Sequence, residues 1–273
     1  MSVHAFLTLF AVAALNAQDQ PVGKGVNLYS TEKEVALGTQ LASDFRRTHA
    51  SLDDAAARDY IEQMGARLVR ALPQPPPFTY HFELTTDSSG TFLEPASLPG
   101  GYVFVPAGLI LAAKDETELA GTLAHAIAHI ATRHGTRQAT RAAIAQQATI
   151  PLVFVGGSNG YGPSQGDNLL LPVGMLQFQR AFESEADMLA VGIALAAGYD
   201  PHGLASYVGR VQEDPQQASM SGFPRRDTRI LRIEQAIQGL QAKTYTSSGE
   251  FAQIQEEVRR RQPPAPPNPT LQR

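Results

Sequence analysis

The chain has 273 residues, 43% of them hydrophobic, and a formal net charge of −4, enough to bury one full core or at most two. Four lysines and eighteen arginines form no basic stripe; the one run, Arg259–Arg261, reads as a solvated helix end, so nucleic-acid binding has no support. Cysteine is absent, which excludes disulfides, thiol catalysis and a lipobox anchor.

Residues 5–15, Ala-Phe-Leu-Thr-Leu-Phe-Ala-Val-Ala-Ala-Leu, form an apolar run of signal-peptide length, short for a bilayer span. With Ala17 as the small residue for cleavage, positions 1–17 read as a signal peptide and the destination as secreted or periplasmic. Residues 18–262 then form a single domain.

Ser30 or Thr31 caps a first helix with Glu32 and Glu34 in its first turn and Val35, Leu37, Leu41 and Phe45 at helical spacing. A second runs from about Asp53 to Leu72, with Ala57, Tyr60, Ile61, Met64, Leu68 and Val69 on its apolar side, and the Pro73–Pro77 segment stops it. Phe78, Tyr80 and Phe82 alternate along a strand from Phe78 to Leu84. Leu98-Pro99-Gly100-Gly101 is a turn, and Tyr102–Val105 a second short strand.

A long helix follows, with Asp115 as cap, Glu118 completing a capping-box-like pair, and Gly135 as the left-handed residue after its end. Thr136–Ala148 is a further helix. Residues 156–167, rich in glycine, form a long loop between helices and a candidate lid. A strong helix covers Gln179 to Ala197, ended by Gly198 and Pro201. Helices also fit Pro201–Val211, Thr228–Lys243 and Glu250–Arg261. The proline-rich segment 263–273 reads as a disordered tail, and no internal repeat is present. The fold class is therefore mainly α (α+β), helical with a small sheet.

The chemistry concentrates on the long helix. His125 and His129, four apart, project from one helical face and can grip one metal ion. In Phe182-Glu183-Ser184-Glu185-Ala186-Asp187, Glu183 and Asp187 share a face one turn apart, while Glu185 points the other way. An acid pair among Ala186, Leu189, Val191 and Ile193 is costly to bury unless paired or metal-bound. One carboxylate completing a two-histidine zinc site, with the other steadying a ligand histidine, removes that cost.

The Leu123–Gly135 helix segment, Leu98-Pro99-Gly100-Gly101-Tyr102, Glu183–Asp187 and Ala197-Gly198-Tyr199-Asp200-Pro201 occur in an order and spacing that resemble a known family. The chain is similar to the zinc metallopeptidases related to the CAAX prenyl proteases, the HtpX- and BepA-type bacterial proteases and the mitochondrial Oma-type proteases. The resemblance spans roughly residues 30–240. It implies a zincin-like domain with a small sheet beside the active-site helix. It further implies one zinc ion held by His125, His129 and Glu183, with Asp187 behind the ligands. Polypeptide substrates would be unfolded envelope proteins, with Ser97, Leu98 and Gly100 as candidate substrate contacts. His134, nearly on the opposite face from His125, is assigned packing or capping.

Three departures from the family pattern matter. Ala126 stands where the general-base glutamate of H-E-x-x-H belongs, and a methyl group cannot move a proton; losing that function costs on the order of 10²–10⁴ in rate. No catalytic residue is therefore assigned. Glu94-Pro95-Ala96-Ser97 replaces the usual Asn-Ala-Phe-Ala of the peptide-docking edge strand, and Pro95 removes a backbone donor. Phe223 occupies a position commonly histidine. Glu118, two turns before His125, reads as a cap and not a substitute base. Two readings follow: a zinc-binding endopeptidase scaffold for envelope quality control with little or no activity, or a non-catalytic, chaperone-like binder of extended clients.

Overall fold

The computed structural model describes residues 25–86, 93–147, 152–155, 169–212, 224–240, 245 and 249–262; the signal-like segment, the 156–167 loop, Phe223 and the proline-rich tail lie outside them. Helix α1 (Thr31–Thr48) starts where the Ser30 hydroxyl accepts the Lys33 amide, with Glu32 and Glu34 at its positive end and Arg46 and Arg47 at its negative end. Asp54 caps α2 (Ala55–Arg70) through the Ala57 amide, and this helix buries Ala57, Tyr60, Ile61, Met64 and Leu68. That is the predicted stripe, apart from Val69, which is only partly buried.

Three strands follow: β1 (His81–Thr85), β2 (Ala96–Leu98) and β3 (Tyr102–Pro106), in the order β1-β3-β2. β1 runs parallel to β3 from the pair His81/Tyr102, and β2 runs antiparallel to it from Leu98/Tyr102. The ladder of β1 begins at His81 and not at Phe78, because β3 itself begins at Tyr102 and leaves residues 78–80 nothing to pair with. β2 is too short for alternation to reveal, and among the described residues no strand pairs with its outer side.

Helices α3 (Ala107–Ala112), α4 (Glu116–Ala131) and α5 (His134–Gln147) come next, then an antiparallel pair β4 (Leu152–Val155) and β5 (Leu169–Pro172). The 156–167 loop is thus flanked by strands, where helices were expected. α6 (Val173–Ala196) begins earlier than the expected Gln179 and closes at Gly198, whose φ is 82°. α7 (Gly203–Val211), α8 (Arg226–Ile237) and α9 (Glu250–Arg261) complete the chain. α8 stops short of the expected Lys243 because Gly239 turns left-handed at φ 84°.

α4 is the centre of the molecule. Its Leu119, Leu123 and Ile127 are fully buried, each contributing about 1.5–3 kcal/mol relative to exposure. It packs against α6, α7, α2 and β2. At α7 the approach is closest: a methyl at Gly121 would lie 2.6 Å from the Leu204 backbone nitrogen.

The end of α4 differs from expectation. Arg133, not Gly135, takes the left-handed conformation, at φ 57°, and Gly135 lies inside α5. Arg133 holds this conformation because its guanidinium donates to Glu34 Oε2 at 2.6 Å and to the Tyr29 carbonyl at 2.7 Å. The resulting tight corner between α4 and α5 places His134 beside His129.

Candidate metal centre

α4 presents His125 and His129 toward α6, which presents Glu183 and Asp187. His125 Nε2 lies 2.9 Å from His129 Nε2 and 3.3 Å from Glu183 Oε2, and His129 Nε2 lies 3.5 Å from Glu183 Oε1. One ligand atom from each residue falls within 4.8 Å of the others. A tetrahedral ion with bonds of about 2.1 Å spaces its ligands by roughly 3.4 Å, close to what is seen. Glu183 Oε2 is buried with no aligned hydrogen-bond donor. A buried carboxylate oxygen without a donor, facing two imidazole nitrogens, is a donor set that fits a divalent cation.

The electrostatics point the same way. Burial opposes the charged form of His125, yet Asp187 and Glu183 push its pKa up to about 9. Burial also disfavours the Glu183 carboxylate, but His129 and His125 hold it well below the usual range. The pocket thus favours a positive charge between these groups, supplied by either a proton or a cation.

Each histidine is backed by its own chain of groups. His125 Nδ1 lies 2.9 Å from Asp187 Oδ1. Asp187 in turn accepts two hydrogen bonds, of 2.8 and 2.9 Å, from Arg229 of α8, and both residues are 2% exposed. On the other side, His129 Nδ1 lies 3.0 Å from His134 Nδ1, and His134 Nε2 lies 3.1 Å from Glu185 Oε2. Glu185 also accepts from Arg137 at 3.2 Å. His134 stacks on Phe182, and its burial pushes its pKa down to about 4, so it is neutral near pH 7.

Sequence reasoning assigned His134 to packing or capping and turned Glu185 away from the site. Glu185 does leave the Glu183 face, but it meets α5 and returns to His129 through His134. Arg229 was missed altogether. A signal for it exists: Arg229, Ile233 and Ile237 recur every four residues on the buried face of α8, so an arginine sits in an apolar stripe and needs a buried acid.

Ala126 is 2% exposed and belongs to the core. The described acids weighed as substitutes for a base are engaged elsewhere. Glu118 caps as expected in accepting a backbone amide, but from Lys114 at 2.7 Å and not from Asp115, and it also holds Ser206 and Arg210. Glu185 is committed to His134 and Arg137.

Ser97 and Leu98 lie in β2, at the sheet edge beside α4, with both side chains buried. Gly100 belongs to the following turn at φ 76° and faces α1, where a methyl would stand 3.0 Å from Val35 Cα. Any contact of β2 with an extended chain would therefore run through its backbone. Gly100 serves the packing of the turn.

The sequence profile of peptidase family M48 matches residues 55–237, a span that holds α2 through α8 and every group described at this centre. The beta-barrel assembly-enhancing protease of Escherichia coli (strain K12) is 26% identical over 231 residues, covering 80% of this chain and 45% of that protein. Its counterpart from Yersinia pestis is 27% identical over 202 residues, covering 70% and 40%. Mitochondrial metalloendopeptidase OMA1 of Schizosaccharomyces pombe is 32% identical over 156 residues, covering 55% and 45%. The chain thus spans less than half the length of these relatives. The profile match covers most of the chain and its whole candidate centre: the chain belongs to peptidase family M48, a family of metal-dependent peptidases.

Proposed function

We propose that this chain is a zinc metalloendopeptidase domain for envelope protein quality control, with one zinc held by His125, His129 and Glu183 and with hydrolysis crippled by Ala126. The observation that carries the reading is the convergence of those three ligand atoms within 4.8 Å. Bound there, zinc would polarise a scissile carbonyl and lower the pKa of water. Asp187 holds His125 with its Nε2 toward the ion, and Glu183 brings the negative charge that the cation balances. The outer backbone edge of β2 offers an extended polypeptide a strand to pair with. Among the described residues the site lacks a group to accept a proton from the attacking water and pass it to the leaving amine, because position 126 carries only a methyl.

Unfolded envelope proteins are the substrate class in this reading, and a secreted or periplasmic site the location. The apolar run at 5–15 and the names of the bacterial relatives support both. No helix among the described residues is long and apolar enough to cross a membrane, and the basic run Arg259–Arg261 at the end of α9 is paired with Glu256, Glu257 and Asp54.

The test is cleavage of unfolded casein by the zinc-loaded parental chain and by Ala126→Glu. Restoring the base should raise the rate on the order of 10²–10⁴. Equal rates for the two proteins would overturn the assignment of the lost activity to position 126. Retention of the ligand set beside a missing base favours one second reading, a non-catalytic holder of extended clients. It predicts that the parental chain suppresses aggregation of an unfolded outer-membrane protein without cleaving it; absence of suppression would discard it.

A further inference from the structure

We propose that His134 is a positioning residue: backed by Glu185 and Arg137, it holds His129 as the Nδ1–H tautomer, with Nε2 open toward the metal. The inference rests on the metal reading of His125, His129 and Glu183 given above.

The tautomers follow from what each group can donate and accept. Glu185 as a carboxylate only accepts, and Arg137 at 3.2 Å stabilises that charge. His134 Nε2, 3.1 Å away, must therefore carry the proton of that hydrogen bond. His134 is 2% exposed, and the Glu185 charge is already balanced by Arg137, so the ring stays neutral. A neutral imidazole has one N–H, so His134 Nδ1 is left as an acceptor. Across 3.0 Å stands His129 Nδ1, which must then be the donor. This leaves the lone pair of His129 on Nε2, the nitrogen that faces His125 and Glu183. The opposite arrangement would put a proton on Nε2 and block the metal.

The geometry of the corner makes this possible. Arg133 in its left-handed turn ends α4 two residues after Ala131, and His134 folds back beside its own predecessor His129. Phe182, stacked at 4.3 Å, fixes the plane of the His134 ring. His125 has a separate anchor, Asp187 with Arg229, so the two histidines are oriented through independent chains, each ending in an arginine. Partners of this kind, behind metal-bound histidines, typically change metal affinity 10–100-fold when removed.

The experiment uses the full chain labelled with ¹⁵N-histidine, treated with chelator, then titrated with zinc against a competing chelator. Long-range proton–nitrogen spectra of the metal-free parental chain should show His129 protonated at Nδ1 and His134 at Nε2. His134→Phe keeps the stacking but removes the acceptor, and should weaken zinc binding about 10–100-fold. His134→Asn, whose amide oxygen can take the place of Nδ1, should recover most of that loss, which a purely space-filling role would not allow. Glu185 has a side chain 35% exposed, so Glu185→Gln is a safe second variant should His134→Phe fail to fold. With a glutamine able to donate or accept, His129 should populate both tautomers. The proposal is overturned if His129 in the parental chain is protonated at Nε2, or if folded His134→Phe binds zinc as tightly as the parent. It is equally overturned if Glu185→Gln leaves both tautomer and affinity unchanged. A parental chain that takes up no zinc would instead overturn the metal reading, while its tautomer spectrum still decides the hydrogen-bond chain.

Discussion

At the scale of single residues, the candidate centre is a problem of buried charge. Asp187 and Arg229 are buried and Glu183 is largely so, and none would be tolerable there alone. Asp187 and Arg229 balance each other through two hydrogen bonds. Breaking such a pair from one side typically costs about 3–5 kcal/mol, because the remaining charge stays buried. Asp187→Asn should therefore lower the unfolding free energy of the metal-free chain by about 3 kcal/mol in a urea titration. An unchanged midpoint would mean that this pair does not anchor α8 to α6. The acids were legible in the sequence because Glu183 and Asp187 interrupt an apolar helix face. Their arginine was not, since it lies 42 residues away and only its place in the Ile233–Ile237 stripe of α8 betrays it.

Among the elements, α4 is held at both ends and at its waist. At the waist Gly121 lets α7 approach. Alanine is the better helix former by about 1 kcal/mol, but its methyl would sit 2.6 Å from the Leu204 backbone nitrogen, and backbone cannot move aside cheaply. Sterics win, so Gly121→Ala should lower the thermal midpoint in calorimetry; a rise would show that α7 shifts freely. At the N-terminal end Glu118 joins Lys114, Ser206 and Arg210. Burial resists its ionisation, but these partners hold its carboxyl below the usual 4.5. Its contribution is therefore complete above about pH 4.5 and is lost as the pH falls through the lower folded value. Glu118→Gln should be less stable than the parent at pH 7, and the gap should close on acidification toward pH 3. A gap of constant size would show that the charge is irrelevant. Caps at Ser30 and Asp115 were legible, since each is a local side-chain-to-amide bond; Asp54, which caps α2 in the same way, was not singled out. The turn at Arg133 was not. Glycine at 135 offers the obvious left-handed residue, and what overrides it are contacts of Arg133 with residues 99 and 104 positions earlier. Alternation could not show β2, because three residues are too few to display a period of two; the resemblance alone marked residues 94–97 as an edge strand, overlapping the observed Ala96–Leu98.

In the molecule as a whole, α4 and α6 bring together His129 and Glu183, more than fifty positions apart in sequence, and the centre exists only where the two helices meet. Helix geometry is local, so spacing alone paired His125 with His129 and Glu183 with Asp187; that the two pairs meet, with Glu183 as the third ligand, came from the family resemblance. The groups that orient the histidines could not be read so easily, since they depend on how α5 and α8 close over that pair. The chain covers under half of its bacterial relatives, so its metal chemistry is best tested on the chain itself. The most direct measurement is zinc per chain, by elemental mass spectrometry after equilibration with zinc and removal of excess. The parental chain should retain one equivalent, and Glu183→Ala, with its fold intact by circular dichroism, should retain far less. A parental chain without zinc, or a Glu183→Ala variant that holds it as well as the parent, would contradict the account.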